Sequence, residues 1–460
     1  MLSYFINVKL LNMNNEIVKN FPNRKTFKSY LSPQETAIIL RDFLWTEHEL
    51  SRMCFGWTPA LEEFEAKYNA GQFGYWHNLN VQKIEKRLRE LPGGVGPLKS
   101  AEFLRFGVDR LSLAPDESCF WCSYELILSS LLESYEILRS QMDEVTNAPT
   151  VDLLEEIIFQ GQRTRKRLAP FLSIEVSKEW HNYAVSIMSI LESDGEGEWP
   201  DLPTSEPVGP VPSIGKTDPE MSNTKAQLIA KQNLSKEAAS TYNLYADPMA
   251  SPLIGTPAQM VFINASEVIA AERVAYMYYM ITGLSLDFYH DLSRHMWDEF
   301  RHSKMGIRRI RELGYQLNQF TFFGESAVSP QTTLQEHYEF YESLTMHAEA
   351  CSFTFKSASA ELLRKSGDIR SAIQSEFDVA DEKLHVGFGT KWSPVINQVA
   401  SGETLTHAAL VKRFRLGSLK KQGFTDQEAE ELQKNQKSFC NTTAKVRAVI
   451  LGEEVYQKML

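Results

Sequence analysis

The stretch HMWDEFRHSKMG at residues 295–306 decides how this chain is read, because ADEKLHVGFGTKW at residues 380–392 repeats its core. Each holds Asp-Glu-x-x-His, with a glycine one helical turn after the histidine. Residues three apart share a helix face, so Glu299 reaches the same point as His302, and Glu382 the same point as His385. The stripes run further. His295, Glu299, His302 and Gly306 step i, i+4, i+7, i+11, and Asp378, Glu382, His385 and Gly389 repeat those steps. An apolar helix pair would carry Leu or Val there, whereas charged groups on a buried stripe need a cation or partners. A lone Glu-x-x-His says little, since a chain of this composition yields roughly one by chance. The surroundings of the two decide.

Working outward, Glu267 in NASEVIAAERVAYMYY precedes Glu299 by 32 residues, and Glu349 in TMHAEACSFTF precedes Glu382 by 33. Each interval suits one helix, a turn and an antiparallel return to the same height. Two such hairpins supply the requirement of a carboxylate-bridged bimetallic bundle: two Glu-x-x-His pairs plus one inward glutamate from each remaining helix. The candidate ligands are therefore Glu267, Glu299, His302, Glu349, Glu382 and His385. Four carboxylates neutralise two divalent ions, and mixed oxygen and nitrogen ligation suits iron or manganese better than zinc or calcium. Glu272 is the alternative first-helix ligand, but it lies about 140° round the helix from Glu267. Glu342 and His347 are further spares. Asp298 and Asp381 each precede a ligand glutamate and are placed to accept the far N–H of a histidine, Asp298 from His385 and Asp381 from His302. Ion pairs on a solvated helix face would explain either cassette alone, but not the matched set.

The bulk properties agree. The chain has 460 residues, 43% of them hydrophobic, and a formal net charge of −11. That excludes a general nucleic-acid footprint and suits a metal cation. The opening MLSYFINVKLLNMNNEIVKNF has no secretory pattern. The most apolar run, VFINASEVIAAERVAYMYYMITGL, carries Glu267, Glu272 and Arg273, which argues against a membrane span. Five scattered cysteines fit a reducing cytoplasm better than a disulfide scaffold. Of these, the CFWC pair Cys119 and Cys122 reads as core.

Periodicity predicts an all-α protein with helices near 33–54, 61–91, 118–143, 150–170, 261–284, 286–314, 331–365 and 368–392. Residues 1–32 form an extension with a candidate hairpin around NMNN. Residues 33–192 form a helical domain, and 193–225 a Pro-, Gly- and acid-rich linker. Residues 226–400 form the metal-binding bundle, and 401–460 a helical extension in which Thr425 is a plausible N-cap. The long connection GYQLNQFTFFGESAVSPQ is what a bundle of the ferritin-like kind uses between its hairpins.

Residues of roughly 261–400 resemble the bacterial ferritin-like proteins classed as a domain of unknown function and grouped with a tRNA-hydroxylase-like branch. The stretches that carry the resemblance are SEVIAAERVA, WDEFRHSKMGIRRIRELGY and DEKLHVGFGTKW. It implies a site for two iron ions, or manganese and iron, at the six residues above. More distantly the chain is similar to the ribonucleotide reductase small subunit and to rubrerythrins. The former places its radical tyrosine one turn after the first histidine, where this chain has Gly306, so a radical there is excluded. The stretches WTEHELSRMCFGWTPALEEFEAKYNAGQFGYWHNLNVQKIEKRLREL and CSYELILSSLLESYEILRSQMDEVTNAPTVDLLEEIIFQGQRTRKRL have the rhythm of the same two hairpins. Yet the ligand positions read Asn80 and Gly161/Thr164, so this N-terminal domain resembles a degenerate, metal-free copy.

The function expected is a cytoplasmic, O2-activating di-iron oxidase or hydroxylase. Its substrate would be an organic small molecule or tRNA, with an electron donor required, no membrane partner, and a homodimer open. The alternatives are an iron-binding, ferroxidase-like protein without an organic substrate, and a helical interaction scaffold with a vestigial site. Gly306 and Gly389 are expected to leave room beside the metals for gas or substrate. The basic run KRFRLGSLKKQG at 412–423 is a candidate phosphate contact, and Tyr276, Tyr278 and Tyr279 are core residues or an electron relay.

Overall fold

The computed structural model describes residues 31–96, 102–173, 175–192, 197–203, 215–221, 257, 260–261, 263–320, 322, 328, 332–421 and 423–443. The expected hairpin around NMNN, most of the 193–225 linker and the tail beyond residue 443 lie outside them. Every regular element among the described residues is helical, so the protein is all-α there. No helix among them is long and apolar enough to cross a membrane. The chain divides into two compact units, Met1–Leu61 with Glu65–Ser213, and Glu62–Phe64 with Ile214–Leu460.

Unit 1 contains α1 (Pro33–Trp57), α2 (Phe64–Leu88), α3 (Glu102–Ser112), α4 (Glu117–Ser140), α5 (Ala148–Leu168) and α6 (Lys178–Glu192). Their starts follow local chemistry. The Ser32 side chain accepts from Glu35 N in a capping box with Pro33 at the first helical position. Asp116 accepts from Cys119 N to start α4. Helix α5 ends on Arg165, Lys166 and Arg167, where the helix dipole favours cations. Helices α3 and α6 are short additions that the periodicity did not single out; they pack on each other and on α4. The core is aromatic: Trp57 stacks on Phe120 at 4.5 Å between centroids and donates from Nε1 to Ser112 O at 2.8 Å. Cys119 and Cys122 are buried and unpaired. Burial pushes the Cys119 thiol up to about 12, so the CFWC pair offers no reactive thiolate.

In unit 2 a 3-10 turn (Ala265–Glu267) leads into α7 (Val268–Met280), followed by α8 (Leu286–Glu312) and α9 (Leu334–Ser343). A π-helical turn (Leu344–Glu349) then precedes α10 (Phe353–Lys365) and α11 (Ile369–Ser401). Helices α12 (His407–Lys421), α13 (Asp426–Leu432) and α14 (Gln436–Thr443) complete it. Helix α7 packs along α8, α10 packs along α11, and α8 faces α11. The reversals are tight. Gly283 at φ 82° and Gly367 at φ 88° take the left-handed conformation that only glycine adopts freely.

Three elements differ from the periodicity. The expected 261–284 helix starts later, so Glu267 caps α7 instead of lying within it. The expected 331–365 helix is broken by the π turn, because an apolar stripe does not reveal one extra residue per turn. Helix α11 runs through Pro394 to Ser401, held by buried Ile396 and Asn397 beyond the missing N–H.

The C-terminal helices belong to unit 2 and cover the π turn. Leu419, Ala429 and Phe439 cluster with Cys351, and Cys351 is disulfide-bonded to Cys440 with a Cα–Cα distance of 5.3 Å. The five scattered cysteines, read as better suited to a reducing cytoplasm than to a disulfide scaffold, thus include one disulfide, whose partners 89 residues apart carry no local signal. Thr425 caps α13 with a full capping box.

Candidate metal centre

Four elements bring the candidate side chains together. Glu267 comes from the 3-10 turn before α7; His295, Asp298, Glu299 and His302 come from α8. Glu349 ends the π turn, and Asp378, Asp381, Glu382 and His385 lie on α11. All but Glu267 are buried, and His295, Asp298, His302, Asp378 and His385 are fully enclosed. The stripes read from the two cassettes are thus the inward faces of α8 and α11.

Two donor groups share Glu299: His295, Glu299, Glu349 and His385 form one, and Glu267, Glu299 and His302 the other. In the first, His295 Nε2 lies 2.9 Å from Glu349 Oε1 and 3.7 Å from Glu299 Oε1. His385 Nδ1 lies 3.2 Å from each of the same two oxygens. Tetrahedral ligands at bond lengths of ~2.0–2.2 Å stand about 3.3–3.6 Å apart, so these donors already enclose a volume of metal size. The two imidazoles stack at 3.9 Å between centroids. In the second group, Glu267 Oε2 and His302 Nδ1 are 3.3 Å apart.

The far nitrogens are held from behind. His385 Nε2 is 3.4 Å from Asp298 Oδ2, and His302 Nε2 is 3.3 Å from Asp381 Oδ2. Donation from Nε2–H to these carboxylates turns each Nδ1 toward the centre. Arg294 donates to Asp298 Oδ2 at 2.6 Å and to Asp381 Oδ1 at 3.1 Å, and Arg301 also donates to both aspartates. Burial works against ionised aspartate, but His385 and Arg294 hold Asp298 well below the usual carboxylate range.

The protonation of the inner groups reflects the same crowding. Burial pushes Glu299 up to about 7 despite its histidine neighbours. Burial would also raise Glu349, yet His295 and His385 hold it at about 2. His295 falls to about 4, through burial and then the adjacent His385. His302 and His385 rise well above the ordinary imidazole value: the carboxylates around them, led by Asp378 and Glu349 respectively, outweigh burial.

A metal ion fits the atoms left over. Glu267 Oε2, Glu299 Oε1, His302 Nδ1 and Glu349 Oε2 are buried without a hydrogen bond, an expensive state for polar atoms. The first three are the donors of the second group. Carboxylate and imidazole donors suit iron or manganese.

One expected ligand is engaged elsewhere. Glu382 Oε1 receives Lys356 Nζ at 2.5 Å, and its Oε2 accepts from Ser352 Oγ at 2.5 Å. Lys356 also donates to Glu267 Oε1 and Asp378 Oδ1, each at 2.8 Å. Glu382 therefore joins Glu267 and Asp378 in a third group of donors able to hold a cation, which here surrounds an ammonium. Burial would lower the Lys356 amine, but Asp378, Glu267 and Glu382 hold it well above its ordinary value. Sequence reasoning missed Lys356, seven residues after Glu349. It also passed over His295 as a donor, although His295 sat on the stripe.

The spare candidates stay apart. Glu272 is buried but belongs to none of the donor groups among the described residues. Glu342 accepts from Tyr338 at 2.9 Å, and His347 packs against Phe414 and Phe439. Tyr276 and Tyr278 are core residues, with Tyr276 against His337 and Tyr278 against Tyr289. Gly306 and Gly389 do not open space for gas or substrate. A Cβ on Gly306 would lie 2.6 Å from Ala265 N, and one on Gly389 2.4 Å from Thr345, so both glycines permit close packing. The basic run finds partners within the protein: Lys412 with Glu430, Arg413 with Glu403 and Asn397, and Lys420 with Asp426.

Unit 1 has a buried polar cluster of another kind. Glu47 of α1 is buried against His77 of α2, and its Oε1 accepts from Tyr135 OH at 2.6 Å and Asn80 Nδ2 at 3.1 Å. His77 Nε2 meets Tyr124 OH at 2.7 Å. Thr164 Oγ1 turns back to Gln160 O, and Gly161 admits Leu132.

Residues 255–431, which include the whole of the unit 2 centre, match a family model described as a protein of unknown function (DUF455). No curated protein and no solved structure matches the chain.

Proposed function

We propose that unit 2 is a ferritin-like four-helix bundle holding a non-haem centre for two iron ions, or manganese and iron. We further propose that the protein is an oxidoreductase using O2 to oxidise or hydroxylate an organic substrate. One observation carries the reading: buried carboxylate and imidazole atoms from four elements converge in two groups sharing Glu299, several of them with no hydrogen bond. Reduced metal ions in such a centre supply the electrons and the open coordination that O2 chemistry requires.

The protein's own residues do the rest. Glu267, Glu299, His302, Glu349, His385 and His295 bind. Asp298 and Asp381 orient the imidazoles, and Arg294 and Arg301 keep those aspartates ionised. The enclosing helices exclude bulk water, which strengthens every charge interaction inside. A cavity of about 330 Å³ lined by Thr345, Met346, Val386 and Arg415 lies against the segments that carry Glu349 and His385. It offers a small organic molecule a place beside the centre.

The test is anaerobic loading of the full chain with Fe(II), followed by O2 uptake measured with and without a panel of small organic substrates. Uptake that depends on the organic compound and continues past the bound iron supports the oxidoreductase. Uptake that stops at the iron added, whatever the organic compound, assigns the protein to iron oxidation instead.

A further inference from the structure

The two halves of the centre differ in charge, and the difference comes from Lys356. Its Nζ is held by Glu267, Asp378 and Glu382 at 2.5–2.8 Å, and the residue is only 5% exposed. Asn264 Nδ2 closes the other side of Asp378 at 2.9 Å. An ammonium fixed by three carboxylates does there much of what a metal ion would do: it neutralises them and repels a second cation placed alongside. The half formed by His295, Glu299, Glu349 and His385 makes no contact with that ammonium. Its imidazole nitrogens stand 2.9–3.7 Å from its carboxylate oxygens.

We infer that the two metal positions fill unequally. The first ion enters the cage of His295, Glu299, Glu349 and His385, with His295 a ligand that neither Glu-x-x-His pair supplies. Lys356 is a built-in cation that makes the Glu267, Glu299 and His302 position bind its ion at least tenfold more weakly. By holding both Glu382 and Asp378, it also keeps these carboxylates from completing that second position. The inference rests on the reading of the centre as a metal site, and it assigns an order of filling that the reading alone does not.

The experiment is an anaerobic titration of the metal-stripped full chain with Co(II), followed by visible absorption and by elemental analysis after equilibrium dialysis. The wild-type protein should take one ion tightly and a second at least tenfold more weakly. Lys356→Met keeps the length of the side chain without its charge, and should tighten the second step at least tenfold while moving the first less than threefold. Lys356→Arg should keep the second step weak. His295→Gln should weaken the first step at least tenfold. Two equal steps in the wild type overturn the inference and leave the metal site standing, as does an unchanged second step in Lys356→Met or an unchanged first step in His295→Gln. No Co(II) bound by the folded wild type overturns both the inference and the function proposed above. Should Lys356→Met lose its helical circular dichroism, the wild-type step ratio and His295→Gln still decide.

Discussion

In unit 1 the carboxylate of Glu47 is buried among His77, Asn80 and Tyr135, with Tyr124 behind the histidine. In unit 2, Glu267, Asp298, Glu299, Glu349, Asp378, Asp381 and Glu382 face three imidazoles, one ammonium and two guanidinium groups. Both clusters are buried among helices, but the balance of donors and acceptors is opposite. Where donors outnumber acceptors, a buried acid is satisfied by hydrogen bonds and the site closes. Where acceptors outnumber donors, oxygen and nitrogen atoms remain directed at shared space, and a cation is the economical partner.

The largest test of this contrast is metal addition itself. An ion supplied at about a thousand times its dissociation constant stabilises the folded state by about 4 kcal/mol. Hydrogen exchange should therefore slow in α8 and α11 when Mn(II) or Co(II) is added and stay unchanged in α1 and α2. Slowing in α1 and α2 alone would reverse the comparison.

Next in size is a pair of glycine substitutions. Gly306→Ala drives a methyl into the backbone of Ala265 and Met260, which cannot swing aside, whereas Gly161→Ala meets only the end of the Leu132 side chain. Denaturant titration should give a loss of about 3 kcal/mol for the first and about 1 kcal/mol for the second. Equal losses would show that the two helix pairs are equally tight.

Glu47→Gln should cost about 2 kcal/mol, because hydrogen bonds to a charged group become bonds to a neutral one. Metal content by elemental analysis should not change; a fall would make the unit 1 centre a metal site and erase the distinction. The smallest effect is expected from Asp381→Asn, which loosens His302 from behind. Co(II) affinity should drop about tenfold, or about 1.4 kcal/mol, with the helical circular dichroism unchanged.

Much of unit 2 was legible because acids and histidines that converge on one point must recur at fixed intervals. The intervals from Glu267 to Glu299 and from Glu349 to Glu382 predict two reversals, and the structure has both, at Gly283 and Gly367. The aspartates behind the histidines were legible for the same reason: they sit one residue from a ligand and point across the same core. Lys356 was not, since a lysine in FTFKSASA looks like a surface residue until three acids from other segments are seen around it. The π turn before it also shifts the helical register that would have related it to Glu349. His295 was on the stripe, but the motif begins at the glutamate and so hides a donor one turn earlier. In unit 1, the contact of Tyr135 with Glu47 spans 88 residues and left no local signal.

Arg294 and Arg301 remain 38% and 29% exposed at their side chains while gripping both aspartates that steady the inner imidazoles. The fully enclosed imidazoles of His302 and His385 are thus two contacts away from solvent. The two guanidinium groups form the outermost layer of a chain that runs through Asp298 and Asp381 to the imidazoles. The centre carries a handle on its outside.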